Sequence, residues 1–343
     1  MIWSLKTKLR AVQLMKTLIA VLYFMLNSVE EKSLDKTDLK IMNLLIKDSR
    51  IPYRNLASYV GITSNAVKER VNKMISSGII RNFVVIINPV IFGYEKECIL
   101  ILRHIDNATK QQDLFNRINL LGDIFAYAKQ LGGASIFVVS VRAEAEDKMG
   151  IIVDLLKPAA IESIFIKYRP ITREIHSSDL NIMKCLLSNP RMQVEEIAKE
   201  ACISTKTVAR RLEKMRQKNI LEFSVSRDMS SLQITGYIEF VVIINVEISH
   251  HQNIVERIYH EMQENLVIVP NSYRQEVIFA AFFCANIPTV NLIFKKLESY
   301  EGVNRVEVFI TTNLVYYQAW LKREIDKALN RKYLQQQKQK IIN

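Results

Sequence analysis

The sequence predicts an α+β fold built as two tandem copies. Three observations lead there: an internal repeat at a fixed offset, three short amphipathic helical patterns opening each copy, and a strand and helix alternation closing it. The segment Asp38-Leu39-Lys40-Ile41-Met42 returns as Asp179-Leu180-Asn181-Ile182-Met183, 141 residues later. The offset holds without a gap through Leu45 and Leu186, Arg50 and Arg191, Ala57 and Ala198, Ile62 and Ile203, Val67 and Val208, Arg70 and Arg211, and Met74 and Met215. Past residue 80 the likeness fades, then returns at Phe92-Gly93-Tyr94 and Thr235-Gly236-Tyr237 after a two-residue slip.

In the first copy Asp35 caps a helix, with Asp38 three residues on, and Leu39, Met42, Leu45 and Ile46 supply its apolar stripe. The polar break Asp48-Ser49-Arg50 ends it. Residues 53–60 make a short second helix with Leu56, Ala57 and Val60 inward, and Gly61 permits the left-handed turn of a tight helix pair. Thr63 or Ser64 caps a third helix whose Val67, Val71 and Met74 recur at i, i+4 and i+7 as one buried face. Its outer face holds Ser64, Asn65, Lys68, Glu69, Asn72 and Lys73, and the second copy presents Thr205, Lys206, Ala209, Arg210, Glu213 and Lys214. Two short helices joined by a glycine-bearing turn, the second with a polar, basic outer face, is the pattern of a helix-turn-helix, and these side chains reach base edges and phosphates. Cys202 stands where the first copy has Gly61, so the second turn either uses another backbone conformation or carries strain.

The alternation that follows reads as strand 96–104, helix 110–121, strands 124–130 and 135–142, helix 145–156 and strand 161–169. The second copy gives 237–247, 250–265, 266–270, 275–285, 288–299 and 303–314 in the same order. This βαββαβ order predicts a ferredoxin-like antiparallel sheet with both helices on one face, leaving an open face that needs a partner. The fold class is therefore two winged-type helix-turn-helix modules, each followed by a ferredoxin-like domain. The expected units are an N-terminal extension at 1–33, helix-turn-helix modules at 34–82 and 173–223, ferredoxin-like domains at 83–172 and 224–318, and a basic tail at 319–343 that reads as solvated.

Composition narrows the function. At 343 residues, half of them apolar, the chain can bury several cores, and its net charge of +12 attracts polyanions before any specific contact forms. The four cysteines, Cys98, Cys185, Cys202 and Cys284, have neither zinc-site spacing nor disulfide density, and read as small core residues in a reducing, cytoplasmic setting. The apolar run 17–26 spans ~15 Å as a helix against roughly 30 Å of bilayer hydrocarbon, so no membrane span is expected, and Met15 or Met25 is an alternative start.

Several motifs together carry a family resemblance: Leu34-Asp35 through Asp38, Leu56-Ala57, Gly61-Ile62-Thr63, Val67 to Met74, Gly78-Ile79-Ile80, and Asn88-Pro89 with Phe92-Gly93-Tyr94. In these the chain resembles the Lrp/AsnC regulators, over residues 34 to about 170 and, more weakly, about 175 to 318. The resemblance implies a transcription regulator of double-stranded DNA, not an enzyme, with no cofactor or metal. It also implies assembly through the open sheet faces, here as a pseudo-dimer within one chain or as a homo-oligomer. An amino-acid effector bound near the turn between the second and third strands is implied too, which would place Gly132, Gly133 and Ser135 at that site. The acidic residue often found there is missing, Asn271-Ser272-Tyr273-Arg274 has no glycine, and a plain hairpin explains the glycine pair equally well.

Two other readings compete. Siroheme decarboxylases resemble the same two-domain arrangement and place histidine and aromatic residues around the second and third strands, where Phe125-Ala126-Tyr127 and Ile136-Phe137-Val138-Val139 offer no histidine. His104, His176, His250, His251 and His260 form no metal-ligand spacing. The third reading is a protein-interaction module that has lost DNA binding, with the first copy the weaker binder because Glu69 repels phosphate.

Overall fold

The structure, a computed structural model, describes residues 34–103, 111–145, 147–157, 160–167, 175–274 and 276–342. The extension expected at 1–33 lies outside the described residues. Helix α1 (Lys36–Lys47) begins at a reciprocal cap in which Asp35 accepts from the Asp38 backbone N–H and Asp38 from that of Asp35. Helices α2 (Tyr53–Val60) and α3 (Ser64–Ser76) complete the first module, and Arg70 of α3 reaches back to Asp35 at 2.6 Å and Asp38 at 2.8 Å. Strand β1 (Ile80–Ile87) leads to β2 (Lys96–Arg103), α4 (Gln111–Ile118), β3 (Asp123–Gln130), β4 (Ser135–Val141), α5 (Met149–Leu155) and β5 (Ala160–Lys167).

The second copy runs α6 (Ser177–Ser188), α7 (Val194–Glu200), α8 (Thr205–Gln217), β6 (Leu221–Arg227), a short α9 (Met229–Ile234), β7 (Ile238–Val246), α10 (His251–Glu261), β8 (Leu266–Arg274), β9 (Val277–Cys284), α11 (Ile287–Glu298), β10 (Val303–Tyr316) and α12 (Ala319–Ile342). Arg211 repeats the role of Arg70, pairing with buried Asp179 at 3.0 Å. The repeated arginine and aspartate thus lock the third helix of each module onto its first.

Each ferredoxin-like unit has the strand order 4-1-3-2, read as β5-β2-β4-β3 and β10-β7-β9-β8. Strand β2 divides its side chains by the period of a strand: Cys98, Leu100 and Leu102 enter the core under α4 and α5, while Ile99 and Ile101 point the other way. Strand β7 does likewise with Phe240, Val242 and Ile244 against Val241 and Ile243. The outward rows meet each other, so the two open faces close into one core containing Ile99, Ile101, Ala128, Ile136, Val241, Ile243, Phe279, Ala281 and Phe309. Burial on both faces is why these strands read as near-continuous apolar runs. The 14-residue β10 joins the halves: Val303 to Ile310 pair with β7, and Thr311 to Tyr316 pair with β3, making one 8-stranded sheet.

Five features differ from the sequence reading. Strands β1 and β6 pair antiparallel, from Ile80 opposite Arg227 to Ile87 opposite Leu221, a ribbon contributed jointly by both copies. Helix α9 follows β6. Strand β8 runs to Arg274 rather than to residue 270, and α5 is shorter than residues 145–156. The C-terminal segment is not simply solvated: Trp320, Leu321 and Ile325 of α12 are buried in the core of the second module, where Lys184 of α6 pairs with Asp326 at 2.7 Å. An apolar i, i+1, i+5 cluster at the head of a basic helix was outweighed in the sequence by the charges after it.

At the end of β6 sits a deeply buried pair of opposite charges. Arg227 donates from Nε and Nη2 to both Glu239 oxygens at 2.9 Å each, with the side chains 2% and 4% exposed, and Nη1 donates to the Val225 carbonyl at 3.1 Å. Two opposed charges so placed satisfy each other, but either alone is costly. Glu239→Ala is expected to lower the unfolding free energy by about 3–5 kcal/mol, read by urea denaturation, whereas the double replacement Arg227→Met with Glu239→Leu stays near wild type.

Candidate nucleic-acid interface

The two recognition helices are built alike. In the first module Gly61 adopts φ 75°, its N–H donating to the Ala57 carbonyl at 2.9 Å, and the Thr63 hydroxyl caps α3 by accepting from the Ala66 N–H. In the second module Cys202 takes the same left-handed region at φ 53°, and Ser204 caps α8 by accepting from the Thr207 N–H. The turn is therefore conserved in shape and Cys202 carries the strain, because its Cβ opposes the following carbonyl. Behind each helix the anchors are fully or nearly buried: Val67, Val71 and Met74 under α3, and Val208, Leu212 and Met215 under α8.

On the outer faces Asn65, Lys68, Glu69, Asn72 and Lys73 are exposed and Ser64 is half-buried, while Thr205, Lys206, Arg210 and Lys214 are all exposed. None of Lys68, Lys73, Lys206, Arg210 and Lys214 forms an ion pair among the described residues, in contrast to Arg70 and Arg211. The outer face of α8 carries three cations against Glu213, and that of α3 carries two cations against Glu69. The stronger field for phosphate therefore belongs to the second copy.

Arg50 and Arg191, noted in the sequence only as repeat identities, tie the two modules together. Arg50 donates from Nη1 to the carbonyls of Pro190 at 2.8 Å and Met192 at 3.0 Å, and lies over the Phe223 ring at 5.3 Å. Arg191 donates to the Tyr53 hydroxyl at 2.9 Å and stacks over the Tyr53 and Phe83 rings, each at 4.8 Å. Arg216 adds an ion pair to Asp48 at 2.6 Å. Burial, followed by the charges of Arg216 and Arg191, presses the Arg50 pKa below its ordinary value. Two arginines at matching positions of a repeat, each crossing to the other copy, are what a pseudo-twofold contact leaves in a sequence.

The turn between β3 and β4 is a hairpin: Gly132 and Gly133 sit at φ 83° and 89°, and the Gln130 N–H donates to the Ala134 carbonyl at 2.9 Å. Both glycines are exposed and Ser135 is buried. Among the described residues no group of three or more histidine, cysteine, aspartate or glutamate side chains is placed to hold a metal ion, and no helix is long and apolar enough to cross a membrane.

A family profile described as winged helix-turn-helix DNA-binding matches residues 34–81 and again 175–222, at the repeat offset. An uncharacterised HTH-type transcriptional regulator of Pyrococcus furiosus is 31% identical over 124 residues, 34% of this chain and 82% of the relative. The regulatory protein AsnC of Haemophilus influenzae is 28% identical over 149 residues, 42% of this chain and 97% of the relative. Among solved structures, the siroheme decarboxylase NirDL aligns with 86% of this chain and 100% of its own at 16% identity and a TM-score of 0.48, too distant a likeness to bear on activity.

The strained turn is open to test. Cys202→Gly is expected to stabilise the chain by about 1 kcal/mol and Gly61→Ala to destabilise it by about as much, measured as opposite shifts in thermal midpoint. With the profile matched in both halves, and relatives aligned over most of their own length, the chain belongs to the Lrp/AsnC family of transcription regulators, in a tandem-duplicated form.

Proposed function

We propose that this regulator binds double-stranded DNA sequence-specifically as a single chain, setting α3 and α8 into two half-sites of one operator. The observation that carries the reading is the combination of exposed cations that form no ion pair among the described residues, on both third helices, with the arginine bridge between the modules. A pseudo-dimer whose halves are covalently joined needs no second chain to present two reading heads, because the tether holds them at high effective concentration.

The heads are not equivalent. Asn65, Lys68, Glu69, Asn72 and Lys73 stand where the second copy has Lys206, Ala209, Arg210, Glu213 and Lys214, so the two half-sites differ in sequence. An amino-acid effector at Gly132, Gly133 and Ser135 has less support: the turn presents no charged side chain to bind an ammonium or carboxylate, and the Ser135 side chain is buried.

Mobility-shift titration tests the proposal. Arg210→Ala and Lys206→Ala are each expected to weaken duplex binding by about tenfold, and Lys68→Ala by less. No retardation of any duplex at low ionic strength would overturn the reading. Sites selected from a random duplex pool are expected to yield an asymmetric consensus with half-sites spaced near one helical turn, and a palindromic consensus would refute the inequivalence of the heads.

A further inference from the structure

Between the two sheets, on the side approached by α1 and β6, lies a cavity of about 610 Å³. Small-molecule sites are of this size, roughly 300–1,000 Å³, and combine apolar walls with a few placed polar groups. Here Ile99, Ala128 and Ile136 form the wall of one sheet, and Val241, Phe279 and Ala281 that of the other. None of Gly132, Gly133 and Ser135 lines it, so the chamber is a separate place from the turn.

The polar groups of the chamber are unequal. Arg227 and Glu239 neutralise each other. Glu222 has no such arrangement: among the described residues its carboxylate has no hydrogen bond or ion pair. Surrounding protein raises its pKa by desolvation, and Glu222 is nonetheless exposed to solvent. Glu222 lines the cavity at its solvent-open side. Glu97 and Lys47 also line the chamber, and together with the buried pair they leave an excess of one negative charge. A partnerless carboxylate beside apolar walls offers a cation charge-assisted hydrogen bonds next to a surface that takes its apolar body.

We infer that this chamber binds a small amphipathic amine, its aromatic or branched aliphatic body between the sheet faces and its ammonium on the Glu222 carboxylate. An anion of the same shape meets net negative charge and is disfavoured. Ile46 and Lys47 at the end of α1, and Phe223 and Ser224 of β6, line the same space, and the Ser224 hydroxyl donates to the Ile46 carbonyl at 2.7 Å. An occupant therefore touches the seat of the first helical module. That coupling rests on the DNA-binding reading, but the binding itself does not.

The test is isothermal titration of the full chain, without DNA, with tryptamine, phenethylamine and isoamylamine, and with indole-3-propionate as a probe of similar shape and opposite charge. Saturable binding of at least one amine is expected, with indole-3-propionate weaker by about tenfold or more. Glu222→Gln is expected to reduce amine affinity by about tenfold with an undiminished thermal midpoint. Ala128→Phe, which fills the chamber, should abolish binding while circular dichroism reports an intact fold. Absence of saturable heat with all three amines, equal affinity for the acid, or unchanged affinity in Glu222→Gln would overturn the proposal. Because DNA is absent throughout, such a failure leaves duplex binding untouched, and a failure to bind duplexes leaves the chamber to stand or fall by its own titration.

Discussion

The antiparallel ribbon of β1 and β6 is the constraint on which the arrangement of the molecule depends, because neither copy can make it alone. A lone β1 or β6 would expose a row of unpaired backbone groups. Paired, they are closed at both ends, where the Asn88 N–H donates to the Ile220 carbonyl and the Asp228 N–H to the Ile79 carbonyl, each at 3.0 Å. The ribbon also exchanges side chains. Val85 and Ile87 of β1 enter the core of α6, α7 and α8, while Val225 of β6 enters the core of α1, α2 and α3. Each helical module is thus completed by a strand from the other half, and the Ser49 N–H donating to the Phe223 carbonyl at 3.0 Å fixes the loop after α1 to that strand.

The sheets extend the same logic. An open face of Ile and Val side chains would be an aggregation surface on an isolated ferredoxin-like unit. Here each copy covers the other's, and β10 spans both, so one edge seam is replaced by continuous hydrogen bonding. Modules and sheets are consequently coupled: the rigid frame that sets the separation of α3 and α8 is the same frame that encloses the space between the sheets.

Much of this was legible in the residues. The repeat placed the modules, strand periodicity placed the eight sheet strands, and capping residues placed the helix starts, because each depends on contacts within a few residues. Arg70 and Arg211 showed only as repeat identities, because the aspartates they pair with, Asp38 and Asp179, lie 32 residues away in sequence. The ribbon was not legible. Its partners lie about as far apart as the repeat itself, and likeness fades past residue 80 because β1 and β6 contact different helices. The fate of α12 was hidden for a related reason: Trp320 and Leu321 look stray beside so many lysines and glutamines until the second module is there to receive them. The recognition faces were readable only as the remainder, the side chains left over once the buried stripe of each helix was assigned.

Strand position 86 holds Ile86 in β1, and its repeat counterpart in β6 is Arg227. Both line the space between the sheets. In an assembly of two identical chains every substitution is inherited twice, so a lone arginine could not face an isoleucine across the axis. Fusion lifts that restriction, and the molecule has used it to give its interior a head and a tail. A guest entering a twofold-symmetric room has two equivalent ways to lie. In this one the two ends differ, and the chemistry of the interior is no longer the same seen from either half.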